Sequence, residues 1–360
     1  MTLKTRIVGR ACILALGTLA ATLALNTAAQ AETITLMGYR AGGFQENYIK
    51  AVIEPFQKAN PDIKVEFYGV QNSATGLGLL RAQKNAPQID AVIYDLSVAQ
   101  IAKEEKLIEP IDPKAVPNYA KLKNIGRELG LWAPPITYDT LALIYHRAQF
   151  PEAPKSWKVL WDPAYKRKVA IPARGGADIQ AIALTIVANR MAGKDDYKSG
   201  IQPGIDLLSK LGGNIQTWEP QPDQYTLVAA GTDALSVAWN ARSQHYIDTT
   251  QGKLGSTAPE EGTVSQINVI SQVAGGKHKA AVEKLIDYAL SAPAQKAFSE
   301  LMFYAPSNAE VTVSPELEKR IPLLDKKNEE KLIPVDWIAV AAMREDITKA
   351  WRRQVIPAGR

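Results

Sequence analysis

The sequence predicts an α/β protein with two lobes, each a mostly parallel sheet flanked by helices. Short apolar runs alternate with amphipathic segments along most of the chain, which is the order expected for strands and helices in a parallel sheet. Residues 141–145 form an unbroken apolar run, which is typical of a strand buried on both faces. The preceding residues 134–140 are more polar and are predicted to be turn-like. We expect the chain to cross between the lobes here.

The N-terminal segment has the pattern of an export signal. Basic residues Lys4, Arg6 and Arg10 precede an apolar stretch at residues 11–25 and the small-residue pattern Ala29-Gln30-Ala31. Residues 1–31 are therefore predicted to be a cleaved signal peptide, which would place the mature chain in the periplasm. The alternative is a membrane anchor, but a membrane-spanning helix needs about 20 apolar residues and this stretch is shorter.

The composition of the mature chain excludes several classes of function. Its only cysteine, Cys12, lies in the predicted signal, so we expect no disulfide, thiolate metal cluster or cysteine nucleophile. The formal net charge is +5, and removing the three basic residues of the signal leaves +2. Nucleic-acid binding is therefore not predicted from the charge.

The first part of the chain is predicted to form three strands separated by two helices. The strands are at residues 34–38, 63–67 and 89–94, and the helices are at 45–59 and in a segment that ends at Asn85. In a doubly wound sheet, ligands bind beyond the carboxyl ends of the strands. These ends, with that of the crossing strand, are Tyr39-Arg40, Asn72-Ser73, Asp95 to Ser97, and Thr137-Tyr138.

The second part of the chain repeats this order of strands and helices, and the chain then returns to the first lobe. Strands are predicted at residues 169–171, 215–218, 234–239 and 264–273, a loop at 252–262, and helices at 179–191, before Gly231, and at 242–251, 277–291, 293–302 and 335–353. A crossing near Tyr138 and a return near Gln266 would divide the chain into a discontinuous lobe 1 (32–138 and 267–360) and lobe 2 (139–266). Two crossings would form a two-segment hinge, and hinge closure commonly encloses a ligand.

One long motif begins the predicted second lobe. It runs from Pro154-Lys155-Ser156-Trp157 through Leu160-Trp161-Asp162-Pro163-Ala164-Tyr165-Lys166 to Lys168-Val169-Ala170-Ile171-Pro172. This motif resembles a segment of the type II periplasmic binding proteins of ABC importers, in the branch that contains polyamine and ferric-iron binders. Residues 55–58, 231–240, 261–262 and 304–308 are also similar to that branch.

The resemblance implies a soluble periplasmic receptor with a two-lobed type II fold. Such a receptor closes around a small solute and presents it to the transmembrane subunits of an ABC permease, without a cofactor. We therefore expect a monomer that captures an amine-containing, zwitterionic or anionic solute, either polyamine-like or similar to an ω-amino acid.

Aromatic residues at two strand ends are candidates for contact with the ligand. Trp218 and Trp239 could flank an alkyl chain or an ammonium group, and the resemblance implies a ligand-stacking tryptophan at Trp239. The alternative is that each is an ordinary core tryptophan.

The resemblance also implies a role for the residue that follows Trp239 by three positions. Polyamine binders of this branch have a motif similar to Trp-x-Gly-Asp at this strand end, whereas this chain has Arg242 in place of the acid. A guanidinium suits a carboxylate or phosphonate.

Other residues near these strand ends are positively or negatively charged. Arg174 and Arg40 could add contacts to an anion, although a solvated surface position is the alternative for each arginine. Asp95, Asp178 and Glu219 could hold an ammonium group, although Asp178 could instead cap a helix and Asp95 could form a turn. The predicted ligand-binding set is Tyr39, Arg40, Ser73, Asp95, Ser97, Tyr138, Arg174, Asp178, Trp218, Trp239, Arg242 and Gln266.

Three other functions are less compatible with the sequence. A ferric-iron receptor of this branch would carry an adjacent tyrosine pair, which the chain lacks, and His146, His245 and His278 lack the spacing of metal ligands. An enzyme on the same fold would need a catalytic motif, and no nucleophile elbow, P-loop or dinucleotide-binding fingerprint is present. A structural or adhesive protein would have no use for a deep cleft. No metal or catalytic residue is predicted.

Overall fold

The computed structural model describes residues 31–173 and 178–358. The predicted signal peptide (apart from Ala31) and Arg174 lie outside the described residues. The strands are β1 (Glu32–Tyr39), β2 (Ile63–Val70), β3 (Ala91–Asp95), β4 (Ile108–Glu109), β5 (Pro135–His146), β6 (Val169–Ala170), β7 (Ile215–Thr217), β8 (Leu235–Trp239), β9 (Leu254–Thr257), β10 (Ser265–Val273) and β11 (Ala305–Pro306).

Helices alternate with these strands along much of the chain. The α-helices are α1 (Phe44–Tyr48), α2 (Glu54–Ala59), α3 (Ser73–Ala82), α4 (Leu96–Glu104), α5 (Ile179–Met191), α6 (Gln202–Ser209), α7 (Gln224–Ala229), α8 (Asn240–Thr249), α9 (Lys279–Ala289), α10 (Ala292–Met302), α11 (Pro315–Glu318), α12 (Trp337–Ala350) and α13 (Ile356–Ala358). Single π-helical turns, Ile49–Ile53 and Trp351–Val355, join α1 to α2 and α12 to α13. Short 3₁₀ helices occupy Pro117–Lys121, Gly130–Trp132, Trp157–Trp161, Pro163–Tyr165, Tyr197–Ser199, Gly212–Asn214, Pro322–Leu324 and Lys326–Lys331.

The strands of the described residues form a mixed sheet. Its order is β2-β1-β3-β10-β5-β8-β6-β7, with β4 paired to β10 and with β9 and β11 paired to β5. Strand β1 is parallel to β2 and β3, and β6 is parallel to β7 and β8. Strands β5 and β10 are antiparallel to every neighbour. The prediction of mostly parallel sheets is therefore wrong, because an apolar run indicates burial on both faces and not the direction of pairing.

Strand β5 pairs with two different groups of strands. Its first half, up to Thr140, pairs with β10 and β11, and its second half, from Leu141, pairs with β8 and β9. The first half was predicted to be turn-like because it contains Thr137, Asp139 and Thr140. These residues are nevertheless buried in the strand. Thr137 and Asp139 accept hydrogen bonds there, which reduces the cost of burying them.

Strand β9 lies where a loop, residues 252–262, was predicted. Gly255 makes this pairing possible, because a Cβ atom at this position would clash with the ring of Tyr145 on β5. Close approach of a strand to a neighbouring ring is a recognised use of glycine. The loop prediction was wrong because glycine is also common in turns.

Helix α5 has the bounds that the sequence predicts. It is apolar on all sides and buried from Ile179 to Asn189, as expected for a helix surrounded by protein. Asp178 caps it, since Oδ1 accepts a hydrogen bond from the backbone N–H of Ile179 at 2.7 Å.

The C-terminal helices pack against several helices from earlier in the chain. Helix α12 packs on α4 and α5, and the following π-helical turn packs on α6. Arg344 donates a hydrogen bond to Ser97, and the indole N–H of Trp351 donates to Oγ1 of Thr185 at 2.8 Å. No helix in residues 31–173 and 178–358 is both long enough and apolar enough to span a membrane.

Candidate functional site

A cavity lies at the ends of several strands. It encloses about 900 Å³ of space, counting the solvent at its mouth. Its lining comes from the end of β1, the β2–α3 loop, the residues before α5, the segment between β7 and α7, the β8–α8 junction and β10. Its lining residues include Tyr39, Ser73, Asp178, Trp218, Trp239, Arg242, Gln266, Asn268 and Tyr304.

One side of the cavity is a connected polar network. The hydroxyl of Tyr39 donates to Oδ1 of Asn268 at 3.0 Å and lies 2.9 Å from Oγ of Ser73. Nε2 of Gln266 also donates to Oδ1 of Asn268, and Nδ2 of Asn268 donates to Thr137. Because these side chains hold one another, they present a fixed set of polar groups to a ligand.

Arg242 supplies a positive charge to the cavity. It lies in the first turn of α8, and its guanidinium carbon is 5.2 Å from the centre of the Tyr39 ring. Nε of Arg242 is buried and has no hydrogen-bond partner among the described residues. Gly42, with φ of +70°, leaves room for this side chain, since a Cβ atom there would lie 2.7 Å from Cδ of Arg242.

Asp139 lies behind Arg242. Its side chain is buried and accepts hydrogen bonds from the backbone N–H groups of Thr140 at 2.8 Å and of Ala241 at 3.0 Å. Burial raises the pKa of Asp139 to about 7, against the opposing effects of these two hydrogen bonds and of the positive charge of Arg242. Sequence reasoning missed this residue, although a single carboxylate beside an apolar run was a visible signal.

Asp178 supplies a carboxylate to the same cavity. Besides capping α5, its Oδ2 faces Nδ2 of Asn72 at 3.4 Å. Burial raises the pKa of Asp178, while its hydrogen bond from Ile179 and the charges of Arg344 and Arg242 oppose the rise. The cavity is therefore lined by groups of both signs.

Two tryptophans contribute apolar surface. Trp218 packs edge to face against Trp351, with ring centres 5.8 Å apart, and its indole N–H has no hydrogen-bond partner among the described residues. The backbone N–H of Trp239 donates to the hydroxyl of Tyr225 at 3.2 Å. Both rings are mostly buried and also line the cavity, so each is part of the core and of the cavity surface.

Seven residues of the predicted set line this cavity, and four described ones do not. Arg40 is exposed and packs beside Gly69. Tyr138 points elsewhere, because its hydroxyl donates to the carbonyl of Ile125 at 2.7 Å. Asp95 and Ser97 are buried behind Ser73. Asp95 caps α4 and does not contact the cavity, so its role is structural, as the turn-forming alternative implied, although the element is a helix start. The structure brings together Tyr39, Ser73, Asp178, Trp218, Trp239, Arg242 and Gln266.

Sequence reasoning also missed several lining residues. Asn268 follows Gln266 by two positions on β10, so strand alternation places both side chains on one face. Tyr304 belongs to one of the segments that resemble the binding-protein branch, and that signal was available. Glu219, predicted from the sequence as a candidate contact for an ammonium group, also lines the cavity, whereas the segment from Pro220 to Tyr225 carried no such signal. In residues 31–173 and 178–358, no cluster of three or more histidine, cysteine or acidic side chains could hold a metal ion.

Comparison with known proteins identifies the family. The family model for the bacterial extracellular solute-binding proteins matches residues 51–322. The chain belongs to this family. It is therefore a solute-binding protein and not an enzyme, and it is the substrate-binding component of an ABC importer, with a solute and a transporter as its partners.

Two relatives have names that specify a ligand. The chain is 26% identical over 303 residues to the γ-aminobutyric acid-binding protein of Pseudomonas aeruginosa, covering 79% of this chain and 80% of that protein. It is 25% identical over 244 residues to a periplasmic protein of Salmonella typhi whose name proposes 2-aminoethylphosphonate as its ligand, covering 66% and 68%.

Solved structures share the fold. A γ-aminobutyric acid receptor superimposes with a TM-score of 0.74 at 21% identity, covering 90% of this chain and 98% of that one. The agropinic acid complex of a binding protein from A. tumefaciens R10 gives a TM-score of 0.76 at 15% identity, covering 90% and 99%. These likenesses confirm the α/β fold of periplasmic binding proteins.

Proposed function

We propose that this solute-binding protein captures a short ω-amino acid or an equivalent aminophosphonate. The acid group would bind Arg242, the ammonium group would bind Asp178, and the rings of Trp218 and Trp239 would flank the carbon chain. The observation that supports this proposal is that one cavity is lined by a guanidinium and a carboxylate as well as by aromatic rings.

The state of Arg242 favours an anionic group. A guanidinium is always charged and presents several N–H donors in one plane, which matches the oxygens of a carboxylate or phosphonate. Since Nε has no partner among the described residues, an acid group could supply one. A buried donor without a partner costs about 1–3 kcal/mol, so supplying one adds to the affinity.

Asp178 is the best candidate among the acids that line the cavity, because Glu219 is exposed and solvent screens its charge. Asp223 already accepts hydrogen bonds from the backbone N–H of Thr226 and from the hydroxyl of Tyr246. Asp178 is held by the backbone of α5 and leaves Oδ2 with only a long contact to Asn72. A diamine would pair one ammonium group with Asp178 but bring the other close to Arg242, and like charges in a low-dielectric cavity repel strongly.

The two named relatives support the same class of ligand. γ-Aminobutyric acid and 2-aminoethylphosphonate both carry an ammonium group and an acid group at opposite ends of a short chain. A receptor for either compound needs one cationic and one anionic subsite, and Arg242 and Asp178 would supply them.

We also propose that the cavity closes by motion of two lobes. Lobe 1 would comprise residues 32–138 and 267–360 and lobe 2 residues 139–266, with a hinge at the two connecting segments. The division of β5 between two groups of strands supports this boundary. The protein would be exported by its signal peptide, act as a monomer in the periplasm and deliver its solute to the permease.

Calorimetric titration of the purified chain tests the proposed ligand class. The compounds are 4-aminobutyrate, 2-aminoethylphosphonate, butyrate and putrescine (1,4-diaminobutane). We expect a zwitterion to bind at least about tenfold more tightly than butyrate or putrescine, since each of those lacks one of the two charge contacts. Tighter binding of putrescine than of either zwitterion would contradict the proposal.

Substitutions of Arg242 test the anion subsite in the same assay. Arg242→Ala should weaken binding of the zwitterion by about 100-fold or more, because a buried charge contact is lost. Arg242→Lys should recover part of the affinity, since it keeps the charge but not the planar set of donors. Equal affinity of Arg242→Ala and the unmodified chain would exclude Arg242 as the anion site.

A further inference from the structure

Asp139 is a buried carboxylate in direct contact with the helix that carries Arg242. Only 3% of Asp139 is exposed. Its oxygens lie 3.0 and 3.2 Å from the backbone nitrogen of Ala241, the residue before Arg242, and one of them accepts from Thr140. This carboxylate therefore holds the first turn of α8 to the middle of β5.

Three titratable groups of the described residues interact electrostatically with Asp139. They are Arg242 on α8, Tyr225 on α7 and Tyr304 just before β11. Burial raises the pKa of Tyr304 to about 12, and it raises that of Tyr225 further, so both tyrosines are neutral near pH 7. Among these groups, Arg242 alone carries a positive charge that favours an ionised Asp139.

We propose that Asp139 is a positioning residue that also acts as the counter-charge of the anion subsite, so that binding of an acid group at Arg242 is coupled to uptake of a proton by Asp139. The inference rests on the proposed function, because it requires the acid group of the ligand to bind Arg242. Once the carboxylate of the ligand binds the guanidinium of Arg242, two buried negative charges, that carboxylate and Asp139, lie near one positive charge. Protonation of the less exposed carboxylate relieves the repulsion.

The pKa of Asp139 makes this coupling observable at neutral pH. Burial raises it to about 7, so a bound anion need only raise it slightly further to change the fraction protonated. Ionised Asp139 repels the incoming anion, and neutral Asp139 does not. The affinity for the ligand should therefore fall as the pH rises through about 7.

Two other titratable groups near the cavity give different behaviour. Asp178 must be ionised to hold an ammonium group, so its titration would make affinity rise with pH, which is the opposite sign. His245, also on α8, lies near Asp248 and Glu46, and burial lowers its pKa. It is therefore mostly neutral from pH 7 upwards, and substituting it provides a control.

Calorimetry with 4-aminobutyrate between pH 6 and 8.5, in buffers of different ionisation enthalpy, tests the proposal. Neither group of this probe titrates in that range, so proton uptake reports on the protein. We expect uptake of about half a proton near pH 7 and affinity about tenfold weaker at pH 8.5 than at pH 6, as one pKa unit implies. This measurement on the unmodified chain needs no variant to fold.

The Asp139→Asn variant tests whether Asp139 is the residue that takes up the proton. The amide keeps an oxygen that accepts from Ala241 but carries no charge. We expect no proton uptake and an affinity that does not change with pH, whereas His245→Gln should retain both effects. Binding by the unmodified chain without proton uptake, or unchanged pH dependence in Asp139→Asn, would overturn the proposal. Absence of binding at every pH would instead overturn the proposed function, and this inference with it.

Discussion

Asp178 combines two roles that a single substitution can separate. Its Oδ1 caps helix α5, and its carboxylate lines the cavity opposite in charge to Arg242. Asparagine caps helices about as well as aspartate, so Asp178→Asn should leave the free energy of unfolding within about 1 kcal/mol. The same change removes the charge that would hold an ammonium group.

We therefore expect Asp178→Asn to weaken binding of 4-aminobutyrate by about 10- to 100-fold in calorimetric titration, as for loss of a charge-assisted hydrogen bond. Asp336→Asn is a matched control. Asp336 also caps a helix, α12, but it does not line the cavity, so its substitution should leave the affinity unchanged. If Asp178→Asn bound the zwitterion as tightly as the unmodified chain, the ammonium group would have to bind elsewhere.

Cavity-lining residues were predictable where a strand end is marked clearly in the sequence. Trp239 and Arg242 follow an apolar run, and the structure places both at the cavity. Tyr138 was included because β5 was predicted to begin at Leu141, when the strand in fact extends back to Pro135. Its side chain lies on another face and bonds to Ile125. Asp139 was missed for the same reason, since it was placed in a predicted turn and not in the buried strand.

The C-terminal helices illustrate coupling between elements. The buried indole of Trp351 donates to Thr185 on α5 and packs against Trp218, and Arg344 on α12 bonds to Ser97 on α4. One helical segment is thus held by polar contacts to two helices that precede it by more than a hundred residues. These side chains are mostly buried, so their contacts contribute more to the free energy of unfolding than contacts between surface side chains would.

A double-mutant cycle measures the contact between Trp351 and Thr185. Trp351→Phe and Thr185→Val each remove one side of the hydrogen bond, and each should destabilise the protein, by about 1–3 kcal/mol in chemical denaturation. We expect a coupling energy of about 1 kcal/mol, because the second substitution has no bond left to break. Strictly additive effects would show that the contact contributes nothing to stability.

Elements were predictable to different degrees. Helix α5 was predicted with correct bounds because an aspartate precedes a long apolar segment. Strand β9 was missed because Gly252 and Gly255 suggested a loop, whereas Gly255 serves to fit the strand against Tyr145. The directions of β5 and β10 were not predictable, since the pairing partner of a buried strand depends on residues far away in the sequence.

At the scale of the whole molecule, the family followed from motifs spread over the chain, and the family match at residues 51–322 confirms it. The likeness to solved structures confirms the α/β fold of periplasmic binding proteins. The two-lobe division and its hinge stay predictions, with support from the way β5 shares its pairing between two groups of strands. The solute class depends on a charge pattern that only the folded chain brings together, because Arg242 and Asp178 are 64 positions apart in the sequence.

The crystal structure of the chain with 4-aminobutyrate tests the central claim most directly. It should place the ligand carboxylate within about 3 Å of the Arg242 guanidinium nitrogens and the ammonium group within about 3 Å of the Asp178 carboxylate, with the carbon chain between the tryptophan rings. A ligand bound in the reverse direction, or held outside this cavity, would contradict the account.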